Sequence, residues 1–228
     1  MKRIGVIGAM ALEIELLKNN ININTSKNIA GFDFFLGDID NKDVIITRCG
    51  EGKVNAASCT QILIDRFGVD SIINTGIAGG LHESVKICDV VISSNVTHHD
   101  VRKAQMENCF PYRECFQADE RLIESAVKAC ESHHSEDWNY HVGRIVSGES
   151  FIQDSKIKKN LLRDYSPHCV EMEGSAIGHV AYINKIPFVV IRSISDNADD
   201  EATISYNAFE TIAANKSAEI VLSMIQML

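Results

Sequence analysis

Short apolar runs that alternate with amphipathic segments are the feature that most constrains how this chain can fold. Most of these runs have apolar residues at consecutive positions, as expected for strands buried on both faces of a parallel sheet. The segments between the runs have apolar residues at helical spacing or begin with an N-cap, and they predict helices. The predicted strands are residues 4–8, 71–75, 89–93, 141–147 and 188–191, and the predicted helices are residues 9–20, 53–67, 119–132, 155–164, 175–184 and 205–228.

A hairpin predicted early in the chain argues against the common nucleotide-binding units. Residues 32–47 alternate strand-like and polar stretches, which predicts a β-hairpin. A dinucleotide-binding unit would have a helix and a parallel strand there, and residues 5–10 lack the full G-x-G-x-x-G pattern. Residues 50–53 do not form a Walker A loop, because Val54 stands where Ser or Thr would bind magnesium.

The alternation of strands and helices predicts the fold class. We expect an α/β fold with a central mixed, mostly parallel sheet covered by helices on both faces. A chain of 228 residues is long enough for one α/β domain or two small ones. No internal repeat or low-complexity linker divides it, so we expect a single domain spanning residues 1–228.

The net charge and the cysteine content indicate which binding partners and which cellular compartment to expect. The formal net charge is -9 and the basic residues are scattered, which argues against nucleic acid as a partner. Seven cysteines without a Cys-x-x-Cys pair predict no disulfide framework and fit a reducing cytosol. The first residues lead directly into a strand-like run without a secretory signal, and no apolar stretch is long enough to cross a bilayer. We therefore expect a cytoplasmic protein without a membrane partner.

Adjacent histidines do not predict a metal site. His98 and His99 precede Asp100, but consecutive side chains diverge and no third ligand follows at a recognisable spacing. We therefore expect neither a metal ion nor a cofactor.

Acidic residues follow three apolar segments, at positions where open α/β sheets bind their ligands. Glu13 comes after the first strand, Glu171 and Glu173 follow Val170 closely, and Asp196 comes after the last central strand. Simpler interpretations remain open. The glutamate pair fits a solvated loop, and Glu13 fits a helix-dipole residue that stabilises by about 0.3–1 kcal/mol. The recurrence of acids at matching positions favours a shared site.

A glycine-rich stretch and an aromatic residue complete the predicted site. Residues 76–80 contain three glycines and predict a flexible turn, either a plain tight turn or one that approaches a ligand closely. Phe151 follows a strand and either stacks on a planar ring or makes a core contact. With three acids this set suits cleavage of a glycosidic bond, in which one carboxylic acid protonates the leaving group and another carboxylate activates water. The acid then needs a pKa raised by burial or by neighbouring carboxylates.

Five motifs spread over the chain carry a resemblance to a known family. They are Gly5-Val6-Ile7-Gly8-Ala9-Met10 with Glu13, Asn74-Thr75-Gly76-Ile77-Ala78-Gly79-Gly80, Ser147-Gly148-Glu149-Ser150-Phe151-Ile152, Val170-Glu171-Met172-Glu173, and Arg192-Ser193-Ile194-Ser195-Asp196. In combination they resemble the bacterial 5′-methylthioadenosine/S-adenosylhomocysteine nucleosidases of the nucleoside phosphorylase superfamily. The resemblance implies a three-layer α/β/α fold, a homodimer, and irreversible hydrolysis of the adenine–ribose bond of both nucleosides and of 5′-deoxyadenosine, in methionine salvage.

The resemblance also implies roles for individual residues. Asp196 would protonate N7 of adenine, Glu13 would activate the water, and Glu173 would hold the ribose hydroxyls. Residues 108–117 of a second subunit would contribute to the 5′ pocket. The remaining implied substrate contacts are Met10 and Met172 at the sugar, Phe151 and the Ile152 backbone at adenine, Tyr206 near the 5′-alkylthio group, and Ala9, Ile77, Gly79, Glu171, Ser195 and Ala198.

Two departures from related sequences bear on the reaction. Ile77 replaces a small hydroxyl residue of some relatives, which would cost a hydrogen bond to the water. Phosphorylase relatives carry phosphate-binding arginines where this chain has Glu13 and Asn74, and a glutamate would repel phosphate. We expect Arg192 to pair with a nearby carboxylate instead. A purine nucleoside phosphorylase, a silent nucleoside-binding protein, and an AMP- or futalosine-type nucleosidase are the competing hypotheses.

Overall fold

The computed structural model describes residues 3–133 and 135–228. The strands are β1 (Arg3–Gly8), β2 (Asn22–Ile29), β3 (Phe32–Ile39), β4 (Lys42–Arg48), β5 (Ser71–Gly80), β6 (Val90–His98), β7 (Cys115–Gln117), β8 (Tyr140–Ser147), β9 (Cys169–Glu171) and β10 (Phe188–Asp196). The helices are α1 (Ala11–Asn19), α2 (Lys53–Phe67), α3 (Lys103–Asn108), α4 (Glu120–Ser132), α5 (Ser155–Tyr165), α6 (Gly174–Asn184) and α7 (Ala202–Met227).

A single mixed sheet contains these strands, in the order β10-β6-β8-β9-β5-β1-β4-β3-β2, with β7 paired to β6. Strand β10 also pairs with β5, so β5, β9, β8, β6 and β10 close into a ring of pairings. Strand β1 runs parallel to β4 and β5, and β5 runs parallel to β10. The carboxyl ends of β1, β5 and β10 therefore meet at one edge of the sheet.

Helices pack in two groups against this sheet. Helices α1 and α4 contact α7, and α7 lies on β5 and β10, whereas α2 and α6 pack against each other. The central strands are apolar on both faces because both faces are covered, and Ile73 and Val190 are completely buried. The predicted α/β fold class with a mixed central sheet is confirmed.

Several element boundaries differ from the prediction. Residues 76–80 are not a turn; they continue β5, because β10 and β9 supply pairing partners for them. Strand β2 was not predicted, since its polar residues are exposed and lack apolar alternation. Residues 108–117, predicted as one loop, end in β7, and helix α7 begins at Ala202, before the predicted position 205.

None of the helices in the described part of the chain is long and apolar enough to cross a membrane.

Candidate active site

A cavity of about 330 Å³ lies at the carboxyl ends of β1, β5 and β10. Ile152 lines a smaller cavity of about 30 Å³ next to it, and Ala198 is buried behind Asp196. The other predicted site residues all line the main cavity: Ala9, Met10, Glu13, Ile77, Gly79, Phe151, Glu171, Met172, Glu173, Ser195, Asp196 and Tyr206. Residues far apart along the chain are thus brought to one place.

Arg192 lies at the centre of the acidic residues. Its side chain is only 1% exposed although it carries a charge, because it continues the buried strand β10. The Nη2 atom donates to Oδ1 of Asn74 at 2.7 Å, and Nη1 donates to the backbone carbonyl of Ile77 at 3.2 Å. Burial opposes the charged form, but the surrounding carboxylates hold the pKa of Arg192 above its usual value. The guanidinium is therefore a fixed positive charge beneath the cavity.

Glu13 lies in the first turn of α1 and turns its carboxylate into the cavity. Oε2 accepts hydrogen bonds from the backbone N–H groups of Ala9 at 2.6 Å and Met10 at 2.9 Å. Oε1 accepts from the backbone N–H of Ile77 at 3.0 Å and lies 3.7 Å from Nη1 of Arg192. Burial raises the pKa of Glu13, although Arg192 and the backbone donors oppose the shift. Glu13 thus makes the helix N-terminal contacts of the simpler interpretation and also faces the cavity.

Glu171 and Glu173 approach Arg192 from the junction of β9 and α6. Glu171 ends the strand and accepts hydrogen bonds from Nη2 of Arg192, the Ser147 hydroxyl and the backbone N–H of Gly174. Glu173 precedes the helix; its Oε1 accepts from the backbone N–H of Gly52 at 2.8 Å, and its Oε2 accepts from Arg192 at 3.2 Å. Burial and the neighbouring Glu171 raise the pKa of Glu173 to about 7, against the opposing charge of Arg192.

The charges of this cluster do not balance when every carboxyl group is ionised. Three buried carboxylates (Glu13, Glu171 and Glu173) share the single guanidinium of Arg192. An excess of buried negative charge is costly, so the cluster favours bound protons or a cationic neighbour. A transition state with positive charge on a sugar ring provides such a neighbour.

Asp196 lies apart from this cluster, at the end of β10. Its Oδ1 accepts from the backbone N–H of Ala198 at 2.8 Å, and its Oδ2 accepts from the Ser195 hydroxyl at 2.8 Å. Burial raises the pKa of Asp196 despite these hydrogen bonds. A raised pKa favours the protonated form of the carboxyl group, which is the form that a general acid requires.

Glycines in β5 make room for the acidic side chains. A Cβ atom on Gly76 would lie 2.3 Å from Oε1 of Glu13 and 2.5 Å from Nη1 of Arg192. A Cβ atom on Gly79 would lie 2.9 Å from Oδ1 of Asp196. The backbone of β5 therefore lies close to the acidic side chains, in an extended strand and not in the predicted turn.

Aromatic and sulfur-containing side chains form the open side of the cavity. The rings of Phe151 and Tyr206 meet edge to face with centroids 5.6 Å apart, and Phe151 is 42% exposed. The hydroxyl of Tyr206 contacts the sulfur of Met10 at 3.3 Å. Together with Met172, these groups can hold a flat aromatic base and an apolar substituent.

Sequence reasoning missed some residues of the site. Glu51 and Thr203 line the cavity without having been predicted, and Asn74 anchors Arg192. The pairing of Arg192 with a nearby carboxylate was expected from the sequence, and its ion pairs with Glu171 and Glu173 confirm it. Within residues 3–133 and 135–228, no group of three or more His, Cys, Asp or Glu side chains is arranged to hold a metal ion.

Comparison with known proteins shows similarity over the whole chain. The sequence profile of the Phosphorylase superfamily matches residues 3–226. A 5′-methylthioadenosine/S-adenosylhomocysteine nucleosidase of Exiguobacterium sp. is 39% identical over 234 residues, which cover 99% of this chain and 98% of the relative. The Neisseria meningitidis 5′-methylthioadenosine/S-adenosylhomocysteine nucleosidase in complex with methylthio-immucillin-A has a TM-score of 0.93 and 34% identity, with 100% of each chain covered. Futalosine hydrolase of Helicobacter pylori has a TM-score of 0.92 and 30% identity, covering 100% of this chain and 98% of the other.

Proposed function

The chain belongs to the phosphorylase superfamily, and we propose that it hydrolyses the adenine–ribose bond of 5′-methylthioadenosine and S-adenosylhomocysteine. The observation that carries this proposal is that Asp196 and Glu13 line one cavity, where burial raises the pKa of Asp196 and Glu13 turns a second carboxyl group towards the same space. The same chemistry applies to 5′-deoxyadenosine, which differs only at the 5′ end.

Asp196 and Glu13 act on different parts of the substrate in the proposed reaction. Asp196 donates its proton to N7 of adenine, which weakens the glycosidic bond and makes the base a neutral leaving group. Glu13 accepts a proton from the attacking water, and the negative cluster around Arg192 stabilises the positive charge that develops on the sugar. Glu173 accepts hydrogen bonds from the ribose hydroxyls.

Substrate contacts follow the shape of the cavity. Phe151 stacks on adenine, and the backbone of Ile152 reads the edge of the base. Met172 and Met10 contact the sugar, and Tyr206 closes on the 5′-alkylthio group. Ala9, Ile77, Gly79, Glu171, Ser195 and Ala198 complete the walls or hold the acids in place.

The charge pattern disfavours phosphorolysis. Arg192 is the only Lys or Arg among the described residues that line the cavity, and three of the five acidic residues that line it already pair with its guanidinium. Phosphate would have to bind beside Glu13, and two negative charges would repel each other. Water, which is neutral, enters without this cost.

The active unit is a homodimer in this proposal. Phe110 and Tyr112 are 69% and 67% exposed, and both lie in residues 108–117, which a second copy can place over the open 5′ side. The continuous sheet and core support one domain over residues 1–228. The seven cysteines are all free thiols, which supports a reducing cytoplasm.

Adenine release with and without phosphate tests the proposal. Purified protein should release adenine from both nucleosides at a rate independent of phosphate, and it should produce a free sugar. A phosphate requirement, with a sugar 1-phosphate as product, would identify a phosphorylase. A futalosine substrate in the same assay distinguishes the related hydrolase activity, and preference for it would contradict the substrate assignment.

A further inference from the structure

A second cavity adjoins the candidate active site at its 5′ end. This cavity of about 370 Å³ shares Ala9, Met10 and Glu51 with the main cavity. The small cavity at the base end shares Phe151 and Asp196 with the main cavity and shares no residue with the 5′ cavity. The three spaces therefore follow one another from the base, past the sugar, to the region beyond the 5′ substituent.

Two opposite charges without partners line the 5′ cavity. Arg48 ends β4, and Glu51 follows three residues later, just before α2. Both residues are exposed, and within the described ranges neither charged group makes an ion pair or a hydrogen bond. Nearby charges behave differently: Lys53 pairs with Asp100 at 2.5 Å. A cation and an anion that line one cavity suit a ligand that carries both charges.

We propose that Arg48 and Glu51 form a subsite for the amino-acid end of S-adenosylhomocysteine. The Glu51 carboxylate accepts hydrogen bonds from the ligand's α-ammonium group, and the Arg48 guanidinium donates to its α-carboxylate. This inference rests on the proposed function, because it needs a nucleoside whose 5′ sulfur lies beside Met10 and Tyr206.

The two substrates differ in what they place in this cavity. Two methylenes separate the sulfur of S-adenosylhomocysteine from its charged α-carbon, so the tail extends beyond Met10 into the 5′ cavity. Methylthioadenosine ends in one methyl group and does not extend to the charges. Arg48 and Glu51 therefore set the ratio of activity on the two substrates, and the acidic groups around Arg192 set the chemistry common to both.

Substitutions that remove one charge at a time test the subsite. Glu51→Gln and Arg48→Gln are compared with Glu83→Gln and Arg66→Gln, exposed residues that line none of the three cavities. The readout is kcat/KM for S-adenosylhomocysteine divided by kcat/KM for methylthioadenosine. We expect this ratio to fall about tenfold in each cavity variant, the size expected for loss of a hydrogen bond to a charged group, and to keep its wild-type value in both controls.

Two substrate analogues assign the charges individually. An aminopropylthio analogue carries only the ammonium group, and a carboxypropylthio analogue carries only the carboxylate. Glu51→Gln should impair the amine more than the acid, and Arg48→Gln should do the reverse. Equal effects on all substrates, or an unchanged ratio while wild-type protein cleaves both nucleosides, would overturn the subsite and leave the proposed function intact. Wild-type protein that releases no adenine from either nucleoside would overturn both.

Discussion

The backbone N–H of Ile77 donates a hydrogen bond to Oε1 of Glu13 over 3.0 Å. A relative with a hydroxyl residue at position 77 would add a side-chain group, but the link to Glu13 comes from the main chain and survives any substitution except proline. The side chain of Ile77 packs with Ala213 and Ala214 of α7 instead. The backbone of residue 77 thus holds the carboxylate of Glu13, and its side chain packs against α7 and forms part of the cavity wall.

Ile77→Ala separates these two functions. Removing a buried side chain that is 6% exposed should lower the free energy of unfolding by about 2–5 kcal/mol. The N–H of residue 77 remains, so kcat per folded molecule should stay close to wild type. Urea denaturation and adenine release measure the two quantities. A large fall in kcat with unchanged stability would show that the side chain itself acts on the reaction.

Gly76→Ala should inactivate the protein because the added methyl group has no space. It would displace Glu13 or Arg192, whose atoms lie 2.3 Å and 2.5 Å from the new Cβ. A displacement of about 1 Å costs on the order of a hundredfold in rate, and we expect kcat/KM to fall at least that far. Gly68→Ala is the matched control: Gly68 has φ of 61° with no atom within 4 Å of its added Cβ. The control should lose about 1–2 kcal/mol of stability and keep its activity; equal activity in the two variants would refute the steric argument.

Lys158 holds the segment that follows Asp196. Its Nζ donates to the carbonyl oxygens of Asn197 at 2.5 Å and Gly80 at 3.2 Å, and its charge lowers the pKa of Asp196 against the larger effect of burial. Lys158→Met should raise that pKa further. Because the acid must be protonated, the alkaline limb of the kcat profile should move to higher pH, whereas the exposed neighbour variant Lys159→Met should leave it in place. If the alkaline limb of the kcat profile stays in place in Lys158→Met, the charge of Lys158 does not act on the pKa of Asp196.

Glu173 makes stability depend on pH. Its pKa is about 7 in the folded protein against 4.5 for the free group, so the folded state binds more protons between these values. Stability is greatest below the lower value and falls as pH rises through 7. Glu173→Gln removes this group, so relative to wild type it should gain stability from pH 5 to pH 8. Urea titrations at both pH values measure the free energy of unfolding of Glu173→Gln relative to wild type, with Glu83→Gln as control. A relative stability that falls as pH rises would contradict the raised pKa of Glu173.

The positions of the catalytic acids could be predicted from the sequence, whereas the conformation of the segments around them could not. Glu13, Glu173 and Asp196 were recognisable because each follows an apolar run, which locates the carboxyl end of a strand without any knowledge of contacts. The conformation of residues 76–80 was not recognisable, because glycines resemble a turn unless partner strands on both sides are known. Gly76 is needed because α1 brings Glu13 against β5, and that approach depends on tertiary packing. Strand β2 was missed for a related reason: its polar, exposed residues pair only through their backbone.

Glu13→Gln should bind substrate and turn it over poorly. Glutamine keeps a carbonyl oxygen for the backbone N–H groups of Ala9 and Met10, but its NH2 group loses the hydrogen bond from the N–H of Ile77 and the side chain cannot accept a proton from water. General-base catalysis contributes about 10²–10⁴-fold, so kcat should fall within that range while the dissociation constant for a nucleoside changes little. Measured turnover near wild type would exclude Glu13 as the base.

The most direct measurement of the central claim is adenine release from methylthioadenosine by Asp196→Asn. Asparagine can accept the hydrogen bond from Ala198 and donate one to Ser195, so the melting temperature should match wild type. Without a proton for N7 of adenine, kcat should fall by at least about a hundredfold. A correctly folded Asp196→Asn variant that releases adenine at the wild-type rate would contradict the account.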